Sequence, residues 1–81
     1  MKSRDLHEKL VKYLKNRKLE NKFKRQLHAL LQNFRHPSLH VEILEPKSRK
    51  LYSFRIDKKY RAIFIILNSE IVIIDINDHY Q

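Results

Sequence analysis

Tyr52-Ser53-Phe54-Arg55-Ile56-Asp57-Lys58-Lys59-Tyr60-Arg61-Ala62-Ile63-Phe64-Ile65-Ile66-Leu67 changes its period partway, and most of the fold can be read from that change. Tyr52, Phe54 and Ile56 alternate with Ser53 and Arg55, the pattern of a strand that is apolar on one face. Asp57-Lys58-Lys59 is a turn. Residues 60–67 become apolar on both faces after their first positions, which predicts a central strand. Residues 71–76 are β-branched throughout except for one acid and predict another strand. Asn68-Ser69 between them is a two-residue hairpin turn without the usual glycine.

Upstream of this stretch, Leu39, Val41 and Ile43 also alternate and predict a first strand of the meander, followed by the basic turn Pro46-Lys47-Ser48-Arg49-Lys50. Before Pro37 the period is helical. Leu6, Leu10, Tyr13 and Leu14 form one apolar stripe, with Ser3 as the expected N-cap, Asp5 in the first turn and a break at Asn16-Arg17. Phe23, Leu27, Leu30, Leu31 and Phe34 form a second stripe, which has to end before Pro37. The expected fold is α+β: an N-terminal helical hairpin packed on one face of a small antiparallel sheet.

Composition narrows the function. The 81 residues suffice for one domain, residues 1–81, near the lower limit for a single core. Cysteine is absent, which removes disulfides, thiolate metal sites and thiol catalysis. Glycine is absent too, which removes phosphate-cradling glycine loops and with them P-loop and dinucleotide sites. No apolar run approaches the roughly 18–20 residues of a membrane span, and the first residues do not resemble a signal peptide, so a cytoplasmic protein without membrane contact is expected. The net charge is +9 and the pI near 10.0. All eighteen basic residues lie within positions 2–61, where six acids leave +12, while the remainder carries three acids and no base. Such a skewed charge points to a nucleic-acid partner.

Several residues could carry chemistry. With an odd number of loop residues at Lys58, Arg55 and Arg61 become cross-strand partners on one face. Adjacent guanidinium groups suit a phosphate, which they match bidentately; each could instead pair with an acid such as Asp57, Glu42 or Asp75. Lys47, Arg49, Lys50, Lys58 and Lys59 extend the candidate RNA- and phosphate-binding set. His79, followed by Tyr80, can both give and take a proton near neutrality, and His36 stands where helix gives way to strand. His7 and His28 are expected on solvated helix surface. No histidine spacing suits a metal, so neither metal nor cofactor is expected. Asp75 and Asp78 are expected to be charge partners of the arginines.

His36-Pro37-Ser38-Leu39, Tyr52-Ser53-Phe54-Arg55-Ile56, Tyr60-Arg61-Ala62-Ile63-Phe64 and residues 73–76 running into Asp78-His79-Tyr80 together resemble the RelE/ParE superfamily of bacterial toxins over roughly residues 20–81. The resemblance implies the toxin of a type II toxin–antitoxin pair, most often an endoribonuclease that cuts mRNA on the ribosome. It implies Arg61 as the phosphate-stabilising residue, His79 as general acid or base, Tyr80 as the aromatic beside it, Arg55 as a substrate or structural contact, and His36 as a catalytic histidine of some branches. It also implies a cognate antitoxin as partner, with mRNA and ribosomal RNA as targets. A ParE-like gyrase inhibitor and a decayed toxin that only binds its antitoxin are the alternatives. Members usually begin with a strand ahead of the first helix. Here Met1 opens almost directly into helix, so that strand is expected to be absent and a sheet edge exposed. The acid that YoeB-like members carry ahead of the arginine strands is missing as well, which moves the proton work to His79 and His36.

Overall fold

The computed structural model describes residues 1–78. Two helices lie on one face of a five-stranded sheet, an α+β arrangement. The elements are β1 (Lys2–Ser3), α1 (Glu8–Asn16), α2 (Glu20–Gln32), β2 (Glu42–Ile43), β3 (Tyr52–Arg55), β4 (Arg61–Leu67) and β5 (Glu70–Asn77). One-turn 3-10 helices occupy Pro37–Leu39 and Lys47–Arg49. The strand order is β1-β5-β4-β3-β2, which makes the doubly apolar β4 the middle strand.

The sheet corrects two expectations. The leading strand is present, as the two residues of β1, and it pairs in parallel with β5 through Lys2 opposite Glu70 and Ser3 opposite Ile71. The sheet is therefore mixed, with an antiparallel meander of β2–β5 and one parallel edge. Ser3, expected to cap the first helix, lies in that strand. The helix starts five residues later, where His7 Nδ1 accepts the N–H of Lys9 at 3.1 Å. Asp5 consequently precedes the helix rather than sitting in its first turn.

Leu10, Tyr13 and Leu14 of the first stripe lie on α1 and Phe23, Leu27, Leu30 and Leu31 of the second on α2, while Leu6 precedes the first helix. The first ends at Asn16-Arg17, as read, with Arg17 as its C-cap, and the left-handed residue that reverses the chain is Lys18, with φ of 57°. The second ends at Gln32, where Asn33 turns extended, so Phe34 lies beyond it. Leu39 fits the alternation of Val41 and Ile43 yet closes a 3-10 turn, because His36 caps that turn and Pro37 opens it. Strand β2 keeps only two residues.

The core lies between helices and sheet. Leu14, Leu19, Phe23 and Leu30 meet Phe54, Ala62, Phe64, Ile71, Ile73 and Ile76 there. Phe64 is its centre, stacked on Tyr52 at 5.4 Å between ring centroids and met edge-on by Phe34 at 5.7 Å. A bulge in the β4–β5 ladder inserts Ile74 as an extra residue, which leaves it 45% exposed. By strand alternation Ser53, Arg55, Arg61, Ile63 and Ile65 point to the other face, away from the helices.

With no glycine in the chain, other residues take left-handed backbone; among the described residues these are Lys18, His40, Lys50, Asn68 and Ser69. Asn68 and Ser69, at φ of 52° and 64°, build the tight β4–β5 hairpin that their spacing predicts.

Candidate functional site

The site begins at the β3–β4 hairpin. Its loop is closed by Ile56 N–H donating to the Tyr60 carbonyl at 2.9 Å. The Asp57 carboxylate accepts the N–H groups of Lys59 and Tyr60, both at 2.8 Å. Burial pushes the Asp57 carboxyl up, but these two N–H groups and the Lys22 ammonium at 3.5 Å outweigh it and hold the carboxyl below its ordinary value. The loop fixes the register. Arg55 stands opposite Arg61, and Arg61 stands opposite Asn77 on β5.

Arg61 is only 8% exposed, although its side chain lies on the face away from the helices. It reaches diagonally across β3 rather than outward. Nε donates to Ser53 Oγ at 3.1 Å, Nη2 donates to the same oxygen at 2.9 Å, and Nη2 also donates to the His40 carbonyl. A buried guanidinium is tolerated when its donors are satisfied in this way. The side chain thereby ties β4, β3 and the segment ahead of β2 together. Arg55 is half-buried beside it, and its carbonyl accepts from the Gln26 amide at 2.8 Å.

The same Gln26 amide donates to the Ser38 carbonyl at 3.1 Å, which joins α2 to the turn carrying His36. His36 Nδ1 accepts the Ser38 N–H at 3.3 Å and lies 2.9 Å from the Ser38 hydroxyl. A backbone N–H can only donate, so Nδ1 is an acceptor and the neutral ring carries its proton on Nε2. His36 and His40, both exposed, share a cleft of about 320 Å³ with Phe34, Arg35, Pro37 and Val41.

The structure thus groups Arg55, Arg61, Lys58 and Lys59 at one end of the sheet, with the His40 carbonyl joined to Arg61. Lys47, Arg49 and Lys50 are exposed at the far end of β3, whose run from Tyr52 to Arg55 spans about 10 Å. The candidates His79 and Tyr80 lie outside the described residues. Asp78, the last described, has its carboxylate 3.8 Å from Lys59 Nζ. Of the two acids expected to serve the arginines, Asp75 accepts the N–H of Ile76 and the Asn77 amide. Nearby, Tyr13 packs edge-on against Tyr60 at 6.2 Å, and the Arg17 guanidinium lies 3.6 Å above the Tyr13 ring. Burial raises the Tyr13 phenol pKa; Arg17 opposes this, and Asp78 and Asp75 reinforce it.

Sequence reasoning missed Ser53, Gln26 and the capping roles of His7 and His36. Ser53 had a readable signal: a small hydroxyl at the diagonal of an arginine, on a face otherwise carrying long side chains. Among the described residues no helix is long and apolar enough to cross a membrane.

The fold is consistent with the RelE-like toxins of the RelE/ParE superfamily. The chain belongs to the HigB-like toxin family, RelE-like toxins of the type II toxin–antitoxin system HigB, whose pattern matches residues 3–79. It is also 49% identical over 35 residues to a protein of Haemophilus influenzae (strain ATCC 51907 / DSM 11121 / KW20 / Rd) that bears the description "Uncharacterized protein". That match covers 43% of this chain and 35% of the relative, so the chain spans about a third of the length of the relative it matches.

Proposed function

We propose that this chain is an endoribonuclease toxin that cuts mRNA in the ribosome by metal-independent transesterification. The ribose 2′-oxygen attacks the adjacent phosphorus while a base takes its proton. The 5′-oxygen leaves with a proton from an acid, giving a 2′,3′-cyclic phosphate and a 5′-hydroxyl. The observation that carries this reading is the guanidinium of Arg61, a middle-strand residue in register with Arg55, held by Ser53 Oγ and the His40 carbonyl. A cation fixed before the reaction costs no reorganisation when charge builds on the phosphorane.

In this reading Arg61 stabilises the transition state, and Arg55, Lys58 and Lys59 hold the RNA backbone. His79 moves protons and Tyr80 stacks on or orients a base. His36 takes a lesser part, since its Nδ1 is occupied by Ser38. Lys47, Arg49 and Lys50, together with the lysines of the helices, bind ribosomal RNA backbone. A cognate antitoxin neutralises the +9 chain and covers the site. The family match favours this over gyrase inhibition.

Toeprinting of translating ribosomes with wild type, Arg61→Ala and His79→Ala tests the proposal. Cuts within the A-site codon that disappear in both variants are expected. A folded wild type that makes no cuts would reject the nuclease reading and leave a decayed toxin that only binds its antitoxin.

A further inference from the structure

We propose that Ser53 is a positioning residue, the hydroxyl that orients the Arg61 guanidinium for cleavage; this rests on the reading of Arg61 as the phosphate-stabilising group. Ser53 is fully buried, although it lies on the strand face opposite the helices. Its Oγ is the shared acceptor for Nε and Nη2 of Arg61 at 3.1 and 2.9 Å, and its own carbonyl lies 3.4 Å from Nη2. The second anchor, the His40 carbonyl, is presented by a left-handed residue with φ of 44°. One edge of the guanidinium plane is therefore fixed by two points on two different segments. Ser53 is paired with Ile63, two residues from Arg61 on β4, so the hydroxyl sits at the diagonal reach of the arginine rather than opposite it.

An arginine has several rotatable bonds, and a planar cation acts on a phosphorane only in the correct plane. The backbone carbonyls of His40 and Ser53 both meet Nη2, whereas the hydroxyl engages Nε as well and so sets the plane of the fork. Alanine at 53 would keep the strand and lose the acceptor, leaving two guanidinium donors buried without it. Threonine keeps the oxygen and suits a strand.

The test measures cleavage of ribosome-bound mRNA by wild type, Ser53→Ala, Ser53→Thr and Arg61→Ala, beside thermal melts and the side-chain Nε–H resonance of Arg61. Ser53→Ala is expected to lower kcat by about 10–100-fold with KM within about threefold, the loss that a misplaced catalytic group causes. Its Arg61 Nε–H should exchange quickly with solvent. Ser53→Thr should restore both the rate and the protected resonance. Wild-type cleavage by Ser53→Ala while Arg61→Ala is inactive would overturn the role of Ser53 and leave that of Arg61 standing. Wild-type cleavage by Arg61→Ala would overturn both. If Ser53→Ala fails to fold, Ser53→Thr against Ser53→Cys decides, because a thiol is a weak acceptor; equal rates in these two would overturn the proposal.

Discussion

Arg55 and Arg61 face each other across the β3–β4 hairpin, yet only Arg61 turns its guanidinium under the sheet surface, to Ser53 and His40. Two like charges in register normally repel. Here the inward anchoring of one draws its charge into a hydrogen-bonded seat and leaves the other nearer the surface.

Lysine substitution should separate the two positions. One ammonium cannot span Ser53 Oγ and the His40 carbonyl with the geometry of a planar fork. Arg61→Lys should lose about 1.5–3 kcal/mol of stability, the worth of hydrogen bonds to a charged group, whereas Arg55→Lys should stay within about 0.5 kcal/mol of wild type. Urea denaturation of both variants checks this, and equal losses would contradict it.

The β4–β5 turn offers the opposite result. Ser69 sits at φ of 64°, where a Cβ is crowded and glycine is not. Ser69→Gly, which leaves the Asn-Gly pair that this turn type favours, should raise stability by about 0.5–1 kcal/mol. In a domain of this size that corresponds to a melting temperature higher by about 2–8 °C.

Asp57 should give the fold a dependence on acid. Its carboxyl lies below its ordinary value in the folded chain, so its contribution is complete above the unfolded pKa and vanishes as pH falls through the folded one. Asp57→Asn should cost about 1–2 kcal/mol at pH 7, and the gap to wild type should close as pH drops through the carboxylate range. Denaturation curves at pH 7, 5 and 3 measure it. A gap that is constant with pH would assign the effect to shape alone.

Salt titration of RNA binding should resolve the two ends of the sheet. If Lys58 contacts a phosphate of single-stranded RNA, Lys58→Ala should reduce the slope of log affinity against log salt by about 0.7. Lys47→Ala should leave the slope for a short RNA unchanged and reduce it only for ribosomes.

Much of this was legible in the chain because it depended on local period. Leu10, Tyr13 and Leu14 mark the α1 face, and the odd loop around Lys58 set Arg55 against Arg61. The failures depended on distant partners. Met1-Lys2-Ser3 has no periodicity, and its strand exists only because Glu70 and Ile71 lie beside it. Leu39 has the parity of a strand residue, and the cap formed by His36 won over that pattern. Ser53 alternates as a surface residue should, and becomes buried only when Arg61 folds over it.

Strand β1 also bears on how the chain assembles. Arg4 N–H donates to the Ile71 carbonyl at 2.9 Å, and its guanidinium meets Glu70 at 3.2 Å across 66 positions of sequence. Hairpins β3–β4 and β4–β5 close over a few residues and should form early, while β1 must wait for β5 to exist. With two residues and a largely exposed ion pair, β1 has little to hold it once docked. It is the last seam to close and the first to open: amide protons there should exchange by local fraying, far faster than those of β4, which are released only when the whole domain unfolds.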